Sequence, residues 1–170
     1  MKRADESKKK MFAEAYEKFA DSLFRHCFFR VSDRERAIDL VQETFLRTWQ
    51  TIERGTEVRN LKAFLYRVLN NATIDHYRKH KTDSLDALLE DEGFDPPAAG
   101  DEAVIKDAEV ALLRQTLAEL EEPYRGTMIL RYVDGLSITE IAEILGETEN
   151  VISVRLHRGA KKIKELLGYD

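Results

Sequence analysis

Asp134-Gly135-Leu136-Ser137-Ile138-Thr139-Glu140-Ile141-Ala142-Glu143-Ile144-Leu145-Gly146-Glu147-Thr148-Glu149-Asn150 is the stretch that decides the fold. Ser137 followed by Glu140 has the form of a capping box, in which a hydroxyl and a carboxylate each satisfy an amide left over at a helix start. A helix therefore begins at Ser137. Ile138, Ile141, Ala142 and Leu145 recur at spacings of three and four and form its buried face. Gly146 ends that helix, Glu147-Thr148 make the turn, and Thr148 is the N-cap of a second helix buried through Val151 or Ile152, Leu156, Ile163 and Leu167. Two helices, a tight turn with glycine and a small residue at their crossing describe a helix-turn-helix.

Upstream, Val110, Leu113, Leu117 and Leu120 form another helical stripe, closed by Glu121-Glu122-Pro123. Pro123 suits the first turn of the next helix, where its missing N–H costs nothing. That helix carries Tyr124, Met128, Ile129, Tyr132 and Val133 and stops at Asp134-Gly135. In the front half, an apolar stripe of Phe12, Ala15, Tyr16, Phe19, Leu23, Cys27 and Phe28 predicts a helix from about Lys10 to Val31. After a break at Ser32-Asp33 that offers an N-cap, with Glu35 complementing the helix dipole, a second helix continues through Ala37, Leu40, Val41, Phe45, Leu46 and Trp49 and ends before Gly55. A third, Leu61 to about Lys81, is apolar at Leu61, Phe64, Leu65, Val68, Leu69, Ala72 and Ile74. Residues 82–103, with Glu90-Asp91-Glu92 and Pro96-Pro97, have the composition of a flexible acidic linker, with room for a short helical piece around Leu85 to Leu89. The expected fold is all-α: two small helical domains, 10–81 and 104–170, joined by the linker 82–103.

Composition limits the function. The 170 residues are 35% charged and 43% hydrophobic, the balance of a soluble helical protein. Cys27 is the single cysteine, which excludes an internal disulfide framework or a thiolate metal cluster and agrees with a cytosolic, cytoplasmic setting. No signal-peptide core and no membrane span are legible. The net charge of −5 argues against nucleic acid only on average. Residues 1–81 hold 18 Lys/Arg against 12 Asp/Glu, residues 82–110 hold 1 against 10, and residues 111–170 hold 8 against 10. The acidic middle hides a basic front and a basic tip.

The second helix of the helix-turn-helix exposes Glu149, Asn150, Ser153, Arg155 and Arg158, followed by Lys161, Lys162 and Lys164. Polar groups and arginine toward base edges with lysines along phosphates suit duplex DNA. An ordinary hairpin with a solvated basic face is the alternative. The end of the third helix, His76-Tyr77-Arg78-Lys79-His80-Lys81, mixes cations with rings, as single-stranded DNA requires, and Asn71 and Asp75 one turn earlier could hold an unstacked base. A solvated helix end is the plain reading there. Asp39, Gln42, Glu43 and Arg47 line a polar face of the second helix, either solvated or a docking surface for a partner helix. No catalytic residues are legible: His26 and Cys27 are neighbours whose side chains diverge on a helix, and no phosphate loop or metal motif occurs. No cofactor or metal is called for.

Together these residues resemble the sigma-70 superfamily of RNA polymerase sigma factors, in its compact extracytoplasmic-function (ECF) group. Ala37-Ile38-Asp39-Leu40-Val41-Gln42-Glu43-Thr44-Phe45 is similar to that family's region 2.2. Ala63-Phe64-Leu65-Tyr66-Arg67-Val68 with Asn71 and Ile74-Asp75 is similar to regions 2.3 and 2.4. Asp134-Gly135-Leu136-Ser137, Glu140-Ile141-Ala142 and Arg155-Leu156-His157-Arg158-Gly159 are similar to region 4. The resemblance implies a non-enzymatic subunit that confers promoter recognition and melting. Asp39, Gln42, Glu43 and Arg47 would grip the beta-prime clamp helices of core RNA polymerase. Asn71, Asp75, His76, Tyr77, Arg78 and Lys79 would hold the melted minus-ten element, with a flipped base near Asn71. Glu149, Asn150, Ser153, Arg155, Arg158, Lys161 and Lys162 would bind the duplex minus-thirty-five element. Other implied partners are the beta flap and, as is common in the family, an anti-sigma factor, and no membrane is implied. The acidic linker replaces the larger family's middle region and would occupy the basic RNA exit path until the transcript displaces it.

Two departures stand out. Phe64 takes the place of a usual tryptophan. Asn150-Val151-Ile152-Ser153-Val154 replaces a commoner Gly-Thr-Val-Lys-Ser run, removing a cation and a hydroxyl from the recognition helix. A self-sufficient helix-turn-helix regulator and a protein-interaction module are the competing readings, and the basic, aromatic helix end in the first domain is what neither needs.

Overall fold

The computed structural model describes the backbone of residues 2–83 and 101–169 and the side chains of residues 2–80 and 108–169. Most of the expected linker, including the piece around Leu85 to Leu89, lies outside the described residues. Among the described residues seven α-helices run in order: α1 Lys2–Val31, α2 Arg34–Glu53, α3 Leu61–Asp83, α4 Asp101–Ala118, α5 Glu122–Met128, α6 Ile138–Leu145 and α7 Glu149–Leu166, with a π-helical turn, Ile129–Val133, between α5 and α6. No strand occurs among the described residues.

The caps are where local chemistry requires them. Asp33 accepts from the Arg36 amide at 3.1 Å to open α2. Ser137 and Glu140 form the full capping box, with contacts of 3.1 and 2.8 Å. Thr148 accepts from the Val151 amide at 3.2 Å. Gly146 ends α6 with φ +65°, a left-handed conformation that costs an L side chain energy. α3 has a cap that its sequence pattern did not announce: Asn60 Oδ1 accepts from the Ala63 amide at 3.1 Å.

α1, α2 and α3 contribute Leu23, Cys27, Leu40, Phe45, Leu65 and Leu69, and α4 to α7 with the π-helical turn contribute Leu117, Leu120, Ile129, Leu130, Ile141 and Ile152, to one buried cluster. Thr44, Thr48, Thr73 and Thr127 are fully buried. Each returns its hydroxyl to the carbonyl four residues back, at 2.7–2.8 Å, which satisfies the group without a partner from another helix. Burial also pushes the Cys27 thiol up to about 11, keeping it protonated and unreactive.

The apolar stripes differ from expectation in places. Tyr16, Leu46, Val110, Leu113 and Leu167 are exposed, because α1, α2, α4 and α7 turn a narrower face to the core than the stripes assigned. α1 begins well before Lys10. The second half also packs directly on the first: α3 contacts α6, and α1 contacts both α4 and the π-helical turn.

Gly159 shows why α5 and α7 approach closely. A Cβ there would meet Met128 Cγ and Sδ at 2.9 Å, and Met128 is itself buried. Alanine gains up to about 1 kcal/mol in helix propensity, but overpacking costs about 1–3 kcal/mol and wins. Gly159→Ala should therefore lower the urea midpoint. An unchanged or higher midpoint would show that Met128 moves aside freely.

Candidate nucleic-acid interface

Helix α7 is amphipathic about Ile152, which is buried; Val151 is only half-buried, and that difference sets the helix rotation. With Ile152, Leu156 and Gly159 inward, the outer face carries Asn150, Ser153, Val154, His157, Arg158 and Lys161, all exposed. The other expected residues sit on the flanks and are engaged within the protein. Glu149 accepts from the Thr139 hydroxyl at 2.8 Å. Arg155 pairs with Glu147 at 2.8 Å. Lys162 lies 4.7 Å from the Tyr124 ring centroid and 3.8 Å from Glu121. Val154, noted in the sequence as a departure, and His157, given no role there, both lie on this exposed face.

Along α3, Asn71, Asp75, Arg78 and Lys79 are exposed, while His76 and Tyr77 are half-buried. Tyr77 donates its hydroxyl to the Arg30 carbonyl, and the Arg125 guanidinium stands 5.4 Å from its ring centroid. Arg36, from the first turn of α2, brings its guanidinium to Nε2 of both His76 (3.4 Å) and His80. Burial, then His80 and Arg36 beside it, lower the pKa of His76 below the usual histidine value. At neutral pH His76 adds a ring and no charge.

On α2, Asp39, Gln42 and Arg47 are exposed and Glu43 is half-buried, with Glu43 and Arg47 paired one turn apart. Ile38 and Leu46 are exposed among them, so the face is mixed polar and apolar. Among the described residues no group of three or more His, Cys, Asp or Glu could hold a metal ion, and no helix is long and apolar enough to cross a membrane.

Comparisons with known proteins agree with this geometry. Residues 15–82 match the family description Sigma-70 region 2, and residues 111–163 match Sigma-70, region 4. The chain is 32% identical to the ECF RNA polymerase sigma factor SigW of Bacillus subtilis, over 92% of this chain and 88% of that one. The chain is an ECF sigma factor. It is also 31% identical to the sigma factor SigV of Bacillus subtilis, over 83% of this chain and 81% of that one. Among solved structures it is similar to the sigma factor RpoE of Bartonella quintana, crystallised in complex with the anti-sigma factor NepR, with TM-score 0.73 and 26% identity over 95% of this chain and 99% of that one. As a sigma factor it serves promoter recognition in transcription initiation, and the family is not one of catalytic enzymes.

Because protonating His76 is disfavoured in the folded sigma factor, acidification toward pH 5 should weaken folding through this group. NMR titration of its ring protons should give a midpoint below that of an unfolded histidine. A midpoint at or above that value would contradict the assigned environment.

Proposed function

We propose that the three surfaces divide the work of one initiation event. The mixed face of α2, with Asp39, Gln42, Glu43 and Arg47, docks on the beta-prime clamp helices of core RNA polymerase. The end of α3, from Asn71 through Asp75 and His76 to Tyr77, Arg78 and Lys79, holds the separated minus-ten strand. The outer face of α7 enters the major groove of the minus-thirty-five element. The observation that carries this division is the unobstructed α7 face with Asn150, Ser153, Arg158 and Lys161, on a capped helix of a helix-turn-helix.

Within the upstream set, Arg158 and Asn150 read bases and Lys161 meets phosphate. Arg155, Glu149 and Lys162 brace the helix from its flanks. Val154 offers the methyl groups that a thymine methyl would contact. The exposed Ile38 and Leu46 add apolar area to the polymerase contact. The division into 10–81, a linker 82–103 and 104–170 follows the same roles. The protein performs no chemistry of its own, works in the cytoplasm and engages the beta flap; an anti-sigma factor as a regulator is supported by the likeness to RpoE.

Run-off transcription with core polymerase and a promoter library tests the reading. Defined promoters should respond only when this protein is added. Arg158→Ala should cost about 1–3 kcal/mol in promoter binding and relax base preference at one position, while Lys162→Ala should change little. No promoter-directed transcript from any template, together with nanomolar duplex binding by the protein alone, would favour a free-standing regulator.

A further inference from the structure

Three basic groups from two helices converge on one spot at the end of α3. Arg36 of α2 brings its guanidinium to Nε2 of His76, at 3.4 Å, and to Nε2 of His80. The two imidazoles stand one helical turn apart, with ring centroids 4.3 Å from each other. Asp33 takes the other edge of the guanidinium, 3.3 Å from Arg36 Nε, which leaves the Nη1 side toward the imidazoles. The Arg36 side chain is 45% exposed, so the cluster opens to solvent.

This arrangement works against charge on its own rings. Burial lowers the proton affinity of His76, and His80 and Arg36 lower it further, with Asp33 of α2 as the one opposing charge. Asp75, Arg78 and Lys79 flank the pair on α3 itself. An anion among the three groups reverses the sign, because a nearby negative charge favours the protonated imidazole. A metal cation meets the opposite condition, since the guanidinium repels it. We propose that Arg36, His76 and His80 form a proton-linked phosphate site, which holds one phosphodiester of the separated strand and draws protons from solvent onto the two rings as it does so. The guanidinium and the protonated Nε2–H groups then donate to the phosphate oxygens, and the positive end of the α2 dipole lies beside them. The bound state carries more protons than the free one, so capture of the strand strengthens as pH falls through the range in which imidazoles titrate. The inference rests on the minus-ten assignment of α3; it adds Arg36 and His80 to that surface and makes its grip depend on protons.

The test uses the full chain without polymerase and a fluorescent oligo(dT) 12-mer at low salt, read by anisotropy. Affinity should rise about fivefold from pH 8 to pH 6. His76→Gln with His80→Gln keeps amide donors that cannot take up a proton, and should bind equally at both pH values. Arg36→Gln should weaken binding at both. His157→Gln, which removes the exposed histidine of α7, should keep the rise. Circular dichroism at each pH checks that helical content is constant. In NMR titrations of the native chain, the oligonucleotide should move the midpoints of His76 and His80 upward. Equal affinity at pH 8 and pH 6, a rise that survives in the double variant, or ring midpoints that stay in place with the strand bound would each overturn the site. Binding that ignores pH yet still needs Asn71 and Tyr77 would overturn the proton link and leave the minus-ten assignment standing, so the two failures are distinguishable.

Discussion

Arg30 cannot lose its proton, and its side chain is fully removed from water. Much of the arrangement of the two halves follows from that. A buried guanidinium needs acceptors on fixed vectors, and Glu122 at the start of α5 and Asn70 in α3 provide them. Gly126 of α5 lies over the guanidinium, where even a Cβ would make only an ordinary van der Waals contact, 3.5 Å from Arg30 Cζ. The π-helical turn plays the matching part for His26. Its wider register, closed by the Asp134 amide on the Ile129 carbonyl at 3.0 Å, delivers the Asp134 carboxylate to the ring. Removing one partner of such a pair costs about 3–5 kcal/mol, whereas the intact pair adds little net stability. The seam between the halves therefore specifies geometry more than it supplies strength.

That constraint connects fold to function. The hydrophobic effect gathers leucines and isoleucines of both halves into one buried cluster, and the α2 and α7 faces remain outside the seam. Tyr77 does not: it lies at the seam under Arg125, beside the buried Arg30. The faces proposed for upstream duplex and polymerase are thus exposed, while Tyr77, proposed for the separated strand, is half-buried.

Much of this was legible in the sequence because local chemistry is short-range. The capping box at Ser137, the cap at Asp33, the proline opening α5 and the apolar periodicity of α3 each act within a turn or two, and a chain read in order displays them. Signals requiring a distant partner were not legible. Nothing near His26 announces Asp134, 108 residues away. Arg30 reads as a basic helix end until Glu122 is placed beside it. The buried threonines look polar in a pattern, yet their bonds to carbonyls four residues back let them act as core. Nor does the pattern of α7 show that Arg155, Lys162 and Glu149 are held by Glu147, by Tyr124 with Glu121, and by Thr139, outside the helix.

Hydrogen–deuterium exchange on the full chain, alone and with core RNA polymerase, tests the account most directly. Polymerase should protect amides of α2 around Asp39 to Arg47 and, in the same sample, accelerate exchange in the seam around His26 to Arg30 and Ile129 to Asp134. Identical exchange with and without polymerase in both regions would contradict it.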